Sequence, residues 1–212
     1  MMGLLSHHAT TLTGQESRHY DGVMARWEPG ARERLVVAAV DLFAEQGYDA
    51  TTVAQIAERA GVTKSTFFRH FPDKRELLVA GQEALRQLLA EGIAEAPAGA
   101  TPLEAVAAGL TRASSAMGPM NREIGPRMKA AVAASAELQE RDALKSVSLA
   151  AAMTDALRAR GVPGPLAALA GELGVLAFKR GYAEWSESDR DELAPYALAA
   201  LDELRAASAS LG

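Results

Sequence analysis

One 20-residue segment, Thr52–Phe71, constrains the fold of this 212-residue chain more than any other feature. It reads TVAQIAERAGVTKSTFFRHF. Thr52 and Thr63 each precede an apolar run, as helix N-caps do, and Gly61 between the runs suits a tight turn. Ala60 is small enough for two helices to cross closely beside that turn. The segment therefore predicts two short helices joined by a tight turn, with the second helix presenting polar residues outward.

The flanking sequence extends this pattern on both sides. Apolar residues at helical spacing predict a helix over Ala31–Gln46, which Gly47 ends as a C-terminal glycine. After the central segment, Pro72 and Asp73 break the chain. We expect a fourth helix to start at Asp73, with its apolar side chains facing inward.

The remainder of the chain also predicts helices. Aromatic residues make up only 5% of the chain, and alanine and leucine are frequent, which favours helix over sheet. No segment alternates convincingly as a strand does. The expected boundaries are a start at Thr101-Pro102, interruptions at Gly118-Pro119 and Gly125-Pro126, a long helix over Glu137–Arg160, a helix from Pro163–Pro165 to about Trp185, and a last helix capped by Ser188. We therefore predict an all-α fold.

Composition excludes several classes of function. The chain has no cysteine, and residues 81–212 contain no histidine, so the sequence offers no metal or catalytic constellation there and we expect no cofactor. No apolar run approaches the roughly 18–20 residues of a membrane span, which is consistent with a cytoplasmic protein. The net charge is −5, yet residues 51–76 carry five basic against three acidic residues. The short central stretch is thus the best candidate for contact with a polyanion.

Short motifs follow one another in order between Arg34 and Leu78. They are FAEQGY at 43–48, Thr51-Thr52, Ile56-Ala57, AGV at 60–62 and Phe71-x-x-Lys74. In these motifs the stretch resembles the TetR family of bacterial regulators. The resemblance implies an N-terminal three-helix helix-turn-helix DNA-binding domain over 29–76 and a C-terminal helical ligand-binding and dimerisation domain over 77–212. Residues 1–28 are expected to form a disordered extension.

The resemblance implies that a homodimer binds a pseudo-palindromic operator in double-stranded DNA. The candidate DNA-binding residues are Tyr48, Thr52, Lys64, Ser65, Thr66, Phe68, His70 and Lys74. Some keep alternatives: Tyr48 either packs beneath the motif or donates to phosphate, and Ser65 either contacts DNA or only allows a close approach. The family often has glycine at position 65 and tyrosine at position 68. Phe68 cannot donate to phosphate, so its contact must be apolar, for example to a thymine methyl.

The C-terminal half gives weaker signals. An adaptable apolar pocket is predicted from Met117, Met120, Met128, Met153 and Phe178, with plain core packing as the alternative. A dimer interface is predicted from Val175, Tyr182, Trp185, Leu193, Ala197 and Leu201, with a pocket floor as the alternative for the aromatic stripe. Leu166, Leu169 and Leu173 lie on another face of the same helix and are expected to pack inward.

The sequence thus predicts a repressor that an apolar small molecule releases from its operator. The ligand would favour a state in which the two recognition helices no longer match successive major grooves, about 34–36 Å apart. Two alternatives stay open. One is a dimeric regulator without a ligand, which a filled C-terminal core would favour. The other is an enzyme with an appended helix-turn-helix, for which the sequence offers no polar constellation.

Overall fold

A computed structural model describes residues 30–210, and every regular element in that range is helical. The predicted all-α fold is confirmed. The expected extension over 1–28 lies outside the described residues. The helices are α1 (Ala31–Gln46), α2 (Val53–Arg59), α3 (Lys64–His70), α4 (Gln82–Glu95), α5 (Pro102–Ser114), α6 (Pro119–Ala134), α7 (Ala136–Ala159), α8 (Gly164–Ser186) and α9 (Ala194–Ala209). Between residues 30 and 210, no helix is both long and apolar enough to cross a bilayer.

Helices α1 to α3 form the N-terminal core as the sequence predicted. Gly47 follows α1 with φ of 86°, and Gly61 makes the turn after α2 with φ of 66°, a backbone conformation that favours glycine. The Thr52 hydroxyl accepts from the backbone N–H of Gln55, whose side chain accepts from the backbone N–H of Thr52, so that the two form a capping box. Thr63 caps α3 in the same manner, through the backbone N–H of Thr66. Local sequence therefore fixes the helix boundaries in this domain.

The expected fourth helix does not start at Asp73. The Asp73 carboxylate accepts from the N–H groups of Arg75 and Glu76 and caps a single 3₁₀ turn, Lys74–Leu77. The chain then turns through Gly81, whose φ is 81°, and α4 begins at Gln82. The physical reason is that Leu77 packs in the N-terminal core whereas the inner face of α4 packs in the C-terminal core. A straight helix would not serve both cores, and the chain bends between them.

Two further boundaries differ from the prediction. Gly125-Pro126 does not interrupt the chain, because α6 continues through both residues to Ala134. Gly125 instead lets α6 approach α8, since an added Cβ would lie 2.6 Å from the Cβ of Ser186. Ser188 does not cap the last helix. Its hydroxyl donates to the carbonyl of Trp185 at the end of α8, and α9 starts only at Ala194.

Helices α4 to α9 form a second core in which several crossings depend on glycine. Gly92 of α4 meets Gly109 of α5, where an added Cβ at residue 92 would lie 2.7 Å from the Cα of residue 109. Gly171 of α8 lies against Ala150 and Thr154 of α7, and Gly181 of α8 lies against α9. These close approaches bring helix backbones together and fill the space between them.

Helix α6 and the start of α7 join the two cores. Ile124 and Ala131 of α6 and Leu138 of α7 are buried in the same apolar cluster as α1. An ion pair between Arg127 of α6 and Asp41 of α1 lies at the edge of this contact. On its other side α6 packs on α8 through Gly125. Helix α6 therefore touches both the N-terminal core and the C-terminal core.

Replacing Gly181 with alanine tests the glycine crossings. The new Cβ would lie 2.5 Å from the backbone N and Cα of Ala197, so α8 and α9 must move apart. We expect the free energy of unfolding to fall by about 1–3 kcal/mol, the usual cost of overpacking a core. Urea denaturation monitored by circular dichroism measures it.

Gly99→Ala is the matched control, because Gly99 has no positive φ and its added Cβ would meet nothing within 4 Å. We expect this variant to keep the wild-type midpoint. Equal midpoints for Gly181→Ala and Gly99→Ala would contradict the close approach of α8 and α9.

Candidate nucleic-acid interface

Helix α3 is anchored by one face and presents the other to solvent. Phe67 is fully buried, and its ring lies 5.9 Å from that of Phe71, centroid to centroid. On the outer side Lys64, Ser65 and His70 are exposed. The anchor fixes the rotation of the helix about its axis and thereby decides which side chains a DNA groove would meet.

Phe68 lies on this outer face with 55% of its surface exposed. Its ring packs edge-on against Phe67 with centroids 5.4 Å apart. No side chain among the described residues covers the exposed part of the Phe68 ring. The ring is suited to contact with an apolar group of a ligand or a base.

The Thr66 side chain, predicted to contact DNA, already has hydrogen-bond partners within the protein. Its hydroxyl lies 3.0 Å from that of Thr63 and accepts from the guanidinium of Arg69, also at 3.0 Å. These contacts hold the side chain along the helix surface, where it is partly buried. Thr52 is exposed at the start of α2, with its hydroxyl in the capping box.

Tyr48 packs beneath the motif, one of the two alternatives that the sequence left open. It is buried, and its ring lies edge-on to Phe43. Its hydroxyl donates to Glu137 of α7 at 3.0 Å. Burial, and next the hydrogen bond to Glu137, raise the pKa of Tyr48 well above its usual range, so the phenol stays a neutral donor. In this structure its hydroxyl therefore links the helix-turn-helix to the C-terminal half.

Lys74 has a structural role that sequence reasoning missed. Its ammonium donates to the carbonyl oxygens of Tyr48 at 2.7 Å and Thr51 at 3.1 Å. It also lies 4.0 Å from the centroid of the Tyr48 ring, within cation–π range. Lys74 thus joins the 3₁₀ turn to the loop before α2. The family motif put lysine at this position, but only the fold shows that backbone carbonyls surround it.

Two basic residues next to this surface are held by intramolecular contacts. Arg59 pairs with Glu45 at 2.8 Å, and the Arg32 guanidinium lies 5.3 Å from the centroid of the Phe71 ring. The hydrogen bond to Arg59 lowers the pKa of Glu45, which stays ionised. Lys64, by contrast, has no ion pair with the described residues and points outward from the first turn of α3. It is the cation best placed to meet a phosphate or a base.

The five predicted pocket residues do not share one cavity in the described chain. Met153 and Phe178 are buried in the C-terminal core, Met117 packs at its edge, and Met128 packs instead against the N-terminal core. Met120 is partly buried and belongs to neither cluster. Two open grooves of about 510 and 360 Å³ are present in residues 30–210, and neither is lined by any of the five.

Besides the Nε of Arg86 in α4, two buried polar atoms in the C-terminal core have no hydrogen-bond partner among the described residues. They are the Ser114 hydroxyl, at the end of α5, and the Trp185 indole nitrogen, near the end of α8. Nearby in the chain, Tyr182 donates to the carbonyl of Asn121 at 2.6 Å, and burial raises the pKa of Tyr182 to about 12. Buried donors without partners are rare in native cores.

The predicted dimer interface stays a prediction, although most of its residues are covered within the single chain. Its residues Val175, Trp185, Leu193, Ala197 and Leu201 are buried in the chain's own core, and Tyr182 is partly buried there. The opposite side of α8, expected to pack inward, is the exposed one. Leu166, Leu169 and Leu176 are exposed and Leu173 is partly so. We call these four residues the α8 leucine face. Because both sides of α8 are apolar, periodicity did not show which one turns inward.

The described residues contain no group of three or more His, Asp or Glu side chains close enough to hold a metal ion. The hydroxyls of Tyr48 and Tyr182 instead donate to Glu137 of α7 and to the carbonyl of Asn121 in α6.

Comparison with known proteins agrees with the helix-turn-helix geometry. Residues 35–80 match the family model described as bacterial regulatory proteins, tetR family. The chain is 41% identical over 75 residues to the HTH-type transcriptional regulator TcmR of Streptomyces glaucescens, which covers 35% of this chain and 33% of TcmR. It is 31% identical over 140 residues to the HTH-type transcriptional repressor KstR of Rhodococcus jostii, 64% of this chain and 65% of KstR. The matches thus span less than two thirds of either relative.

The fold has a counterpart among crystal structures. A TetR-family transcriptional regulator from Syntrophomonas wolfei superposes with a TM-score of 0.56 at 18% identity, over 86% of this chain and 96% of that one. The exposed helix α3 and the tight turn before it have the geometry of a helix-turn-helix. Over residues 35–80 the chain belongs to the TetR family of bacterial regulatory proteins.

Replacing Lys74 with methionine separates its structural role from a role at DNA. The variant loses two charge-assisted hydrogen bonds to backbone carbonyls, so we expect the free energy of unfolding to fall by about 1–3 kcal/mol without any DNA present. Lys64→Met is the control and should stay within about 0.5 kcal/mol of wild type, because Lys64 is exposed. Thermal denaturation compares the two, and equal stability would contradict the structural role of Lys74.

Proposed function

We propose that this protein is a homodimeric, sequence-specific DNA-binding transcriptional repressor that acts in the cytoplasm. The observation that carries the proposal is the rotation of α3, which buries Phe67 and leaves Lys64, Ser65 and Phe68 exposed on one face. A recognition helix needs this combination of a rigid anchor and an outward polar face. The family match over residues 35–80 supports it.

The proposed contacts divide by chemistry. Lys64 and Ser65, in the first turn of α3, contact base edges or nearby phosphates, together with Thr66. His70 donates to a phosphate from the end of α3. Phe68 packs on a thymine methyl, the apolar group that the major groove displays. Thr52 presents its hydroxyl and the start of α2 to the backbone of the DNA.

Tyr48 and Lys74 take a different part in this proposal. Both polar groups have partners within the protein, so we assign to them the support of the loop that carries Thr52. A phosphate contact by either would compete with these hydrogen bonds. They therefore position the helix-turn-helix more than they bind DNA.

The exposure of the α8 leucine face supports the proposal that the chain dimerises through it. Three of its four leucines are exposed in the single chain, and their spacing of three or four residues puts them on one side of a long helix. Covering such a stripe with the same stripe of a second copy removes apolar surface from water. Two copies joined this way would present two α3 helices to one operator.

Control by a small molecule is supported by the unpaired donors in the C-terminal core. A mostly apolar ligand with one hydrogen-bond acceptor would satisfy the Trp185 indole or the Ser114 hydroxyl. Helix α6, which touches both α8 and α1, would pass the change to the DNA-binding half. The ion pair between Arg127 of α6 and Asp41 of α1 is one of the contacts through which α6 would act on α1.

A ligand-independent dimeric regulator is the second candidate. Glycines let several helices of the C-terminal core approach closely, and the two grooves described above are open at the surface. A ligand would then have to open the core as it binds. Trp185 distinguishes the candidates, since a ligand that releases DNA through this core should change the emission of that residue in a Trp27→Phe background.

Fluorescence anisotropy with DNA flanking the gene for this protein tests the function. At about 150 mM salt we expect a preference of roughly 10³-fold or more over a shuffled sequence of the same length. Lys64→Ala combined with Phe68→Ala should abolish most of that preference. Arg205→Ala, at an exposed position of α9, is the control and should leave it unchanged. Equal weak binding to all DNAs, including fragments selected from the genome, would overturn the proposal.

Charge substitution on α8 tests the dimer. Leu169→Glu puts a carboxylate into the α8 leucine face and should convert the dimer to monomer, because the charge would have to be desolvated at the interface. Ala168→Glu adds the same charge one residue away, on a different side of the helix, and should stay dimeric. Sedimentation velocity measures both. A dimer that survives Leu169→Glu would mean that another face mediates association.

A further inference from the structure

Helix α7 carries an outward stripe that has no role in the proposed function. It comprises Glu140, Leu144, Val147, Ala151 and Arg158, all exposed, and we call it the α7 seam. Leu144 and Val147 have 55% and 65% of their surface exposed. Successive members of the seam are four, three, four and seven residues apart, which keeps the stripe on one side of the helix. Apolar side chains therefore occupy the middle of the seam and opposite charges its two ends.

The seam belongs to a rigid part of the fold. The other side of α7 is buried, with Leu149, Met153 and Leu157 in the C-terminal core. Helix α7 also packs on α8, where Ala150 lies beside Gly171. A fixed helix presents the exposed stripe in one geometry, so a partner does not have to order it on binding.

The seam is separate from the α8 leucine face. On α8, Gly171 and Lys179 face α7, the latter through an ion pair with Asp142 at 2.7 Å. At about 100° per residue, Leu169 and Leu176 lie on a different side of α8 from Gly171. A copy bound at one surface therefore leaves the other free.

The charges at the two ends of the α7 seam favour a second copy of this chain as the partner that binds there. Glu140 lies seven residues before Val147, and Arg158 lies seven residues after Ala151. If two seams pack antiparallel with Val147 opposite the partner's Ala151, Glu140 comes opposite the partner's Arg158 at both ends. Parallel packing would instead oppose like charges. Glu140 has no ion pair with any residue from 30 to 210, and Arg158 has only a 3.8 Å contact to Asp155.

We propose that two copies associate antiparallel along the α7 seam, and that this contact joins dimers into pairs. The apolar centre of Leu144, Val147 and Ala151 supplies the burial, and the two Glu140–Arg158 pairs set direction and register. The seam is about 27 Å long, because roughly 18 rises of about 1.5 Å separate residue 140 from residue 158. With two large apolar side chains per copy it is smaller than a stable standard interface, so association is weak. Dimers held close together on neighbouring DNA sites would gain most from it.

Sedimentation velocity of the full chain over a wide range of concentrations tests the proposal. We expect dimer at low concentration and a rise toward tetramer at high concentration. Val147→Glu should remove the rise and leave the dimer, the far-ultraviolet spectrum and the affinity for a single operator unchanged. Leu169→Glu affects the other interface and should not remove the association that depends on Val147. A wild-type protein that stays dimeric at all concentrations would overturn the proposal that dimers associate through the α7 seam.

Charge reversal tests the register. Glu140→Arg and Arg158→Glu should each weaken tetramer formation by roughly tenfold or more, because each opposes like charges across the seam. The double variant restores opposite charges and should recover the wild-type association. Failure of the double variant to recover would overturn the antiparallel pairing. If the α8 leucine face fails to dimerise the chain, Val147→Glu converts an α7-linked dimer to monomer, which distinguishes failure of that proposal from failure of this one.

Discussion

The position of the recognition helix depends on the docking of the N-terminal core against α6 and the start of α7. Ile124, Ala131 and Leu138 bury their side chains among those of α1, which fixes one domain against the other over a broad apolar contact. Two polar contacts lie beside this apolar contact, the Arg127–Asp41 ion pair and the Tyr48–Glu137 hydrogen bond. Both would break if the N-terminal core slid along α6 and α7. Apolar burial supplies the attraction, while the directional contacts select one orientation. The groove that α3 can reach is therefore decided partly by residues more than fifty positions away in sequence.

The same dependence explains why the connection between the domains is bent. The chain leaves the N-terminal core at Leu77, forms one capped 3₁₀ turn and reverses through Gly81 before α4 begins. Lys74 closes this turn onto the loop before α2 by donating to two carbonyl oxygens. A movement of α4 would reach α3 only through this turn, whereas α6 contacts α1 directly. The contact between α6 and α1 is therefore the more direct of the two connections between the C-terminal half and the motif.

Helix α8 shows how one element can serve two environments. Its glycines at 171, 174 and 181 let α7 and α9 approach closely, and the apolar side chains near them are buried inside the chain. Its leucines turn to the outside. The helix is apolar nearly all round because one side fills the core and the other is available to a second copy. Helix α7 repeats the arrangement on a smaller scale, with a buried side and a seam of two large exposed apolar residues.

The sequence by itself determined the helix-turn-helix, because its signals are local. Thr52 and Thr63 cap the helices that follow them, Gly61 makes the turn, and Phe67 anchors α3, each through contacts within a few residues or within one small core. It also determined the all-α class and most helix boundaries. Tertiary structure decided which apolar face of α8 turns inward, where α4 begins and what Tyr48 and Lys74 contact. Those outcomes depend on partners far away in sequence, and helical periodicity describes a face without saying what covers it.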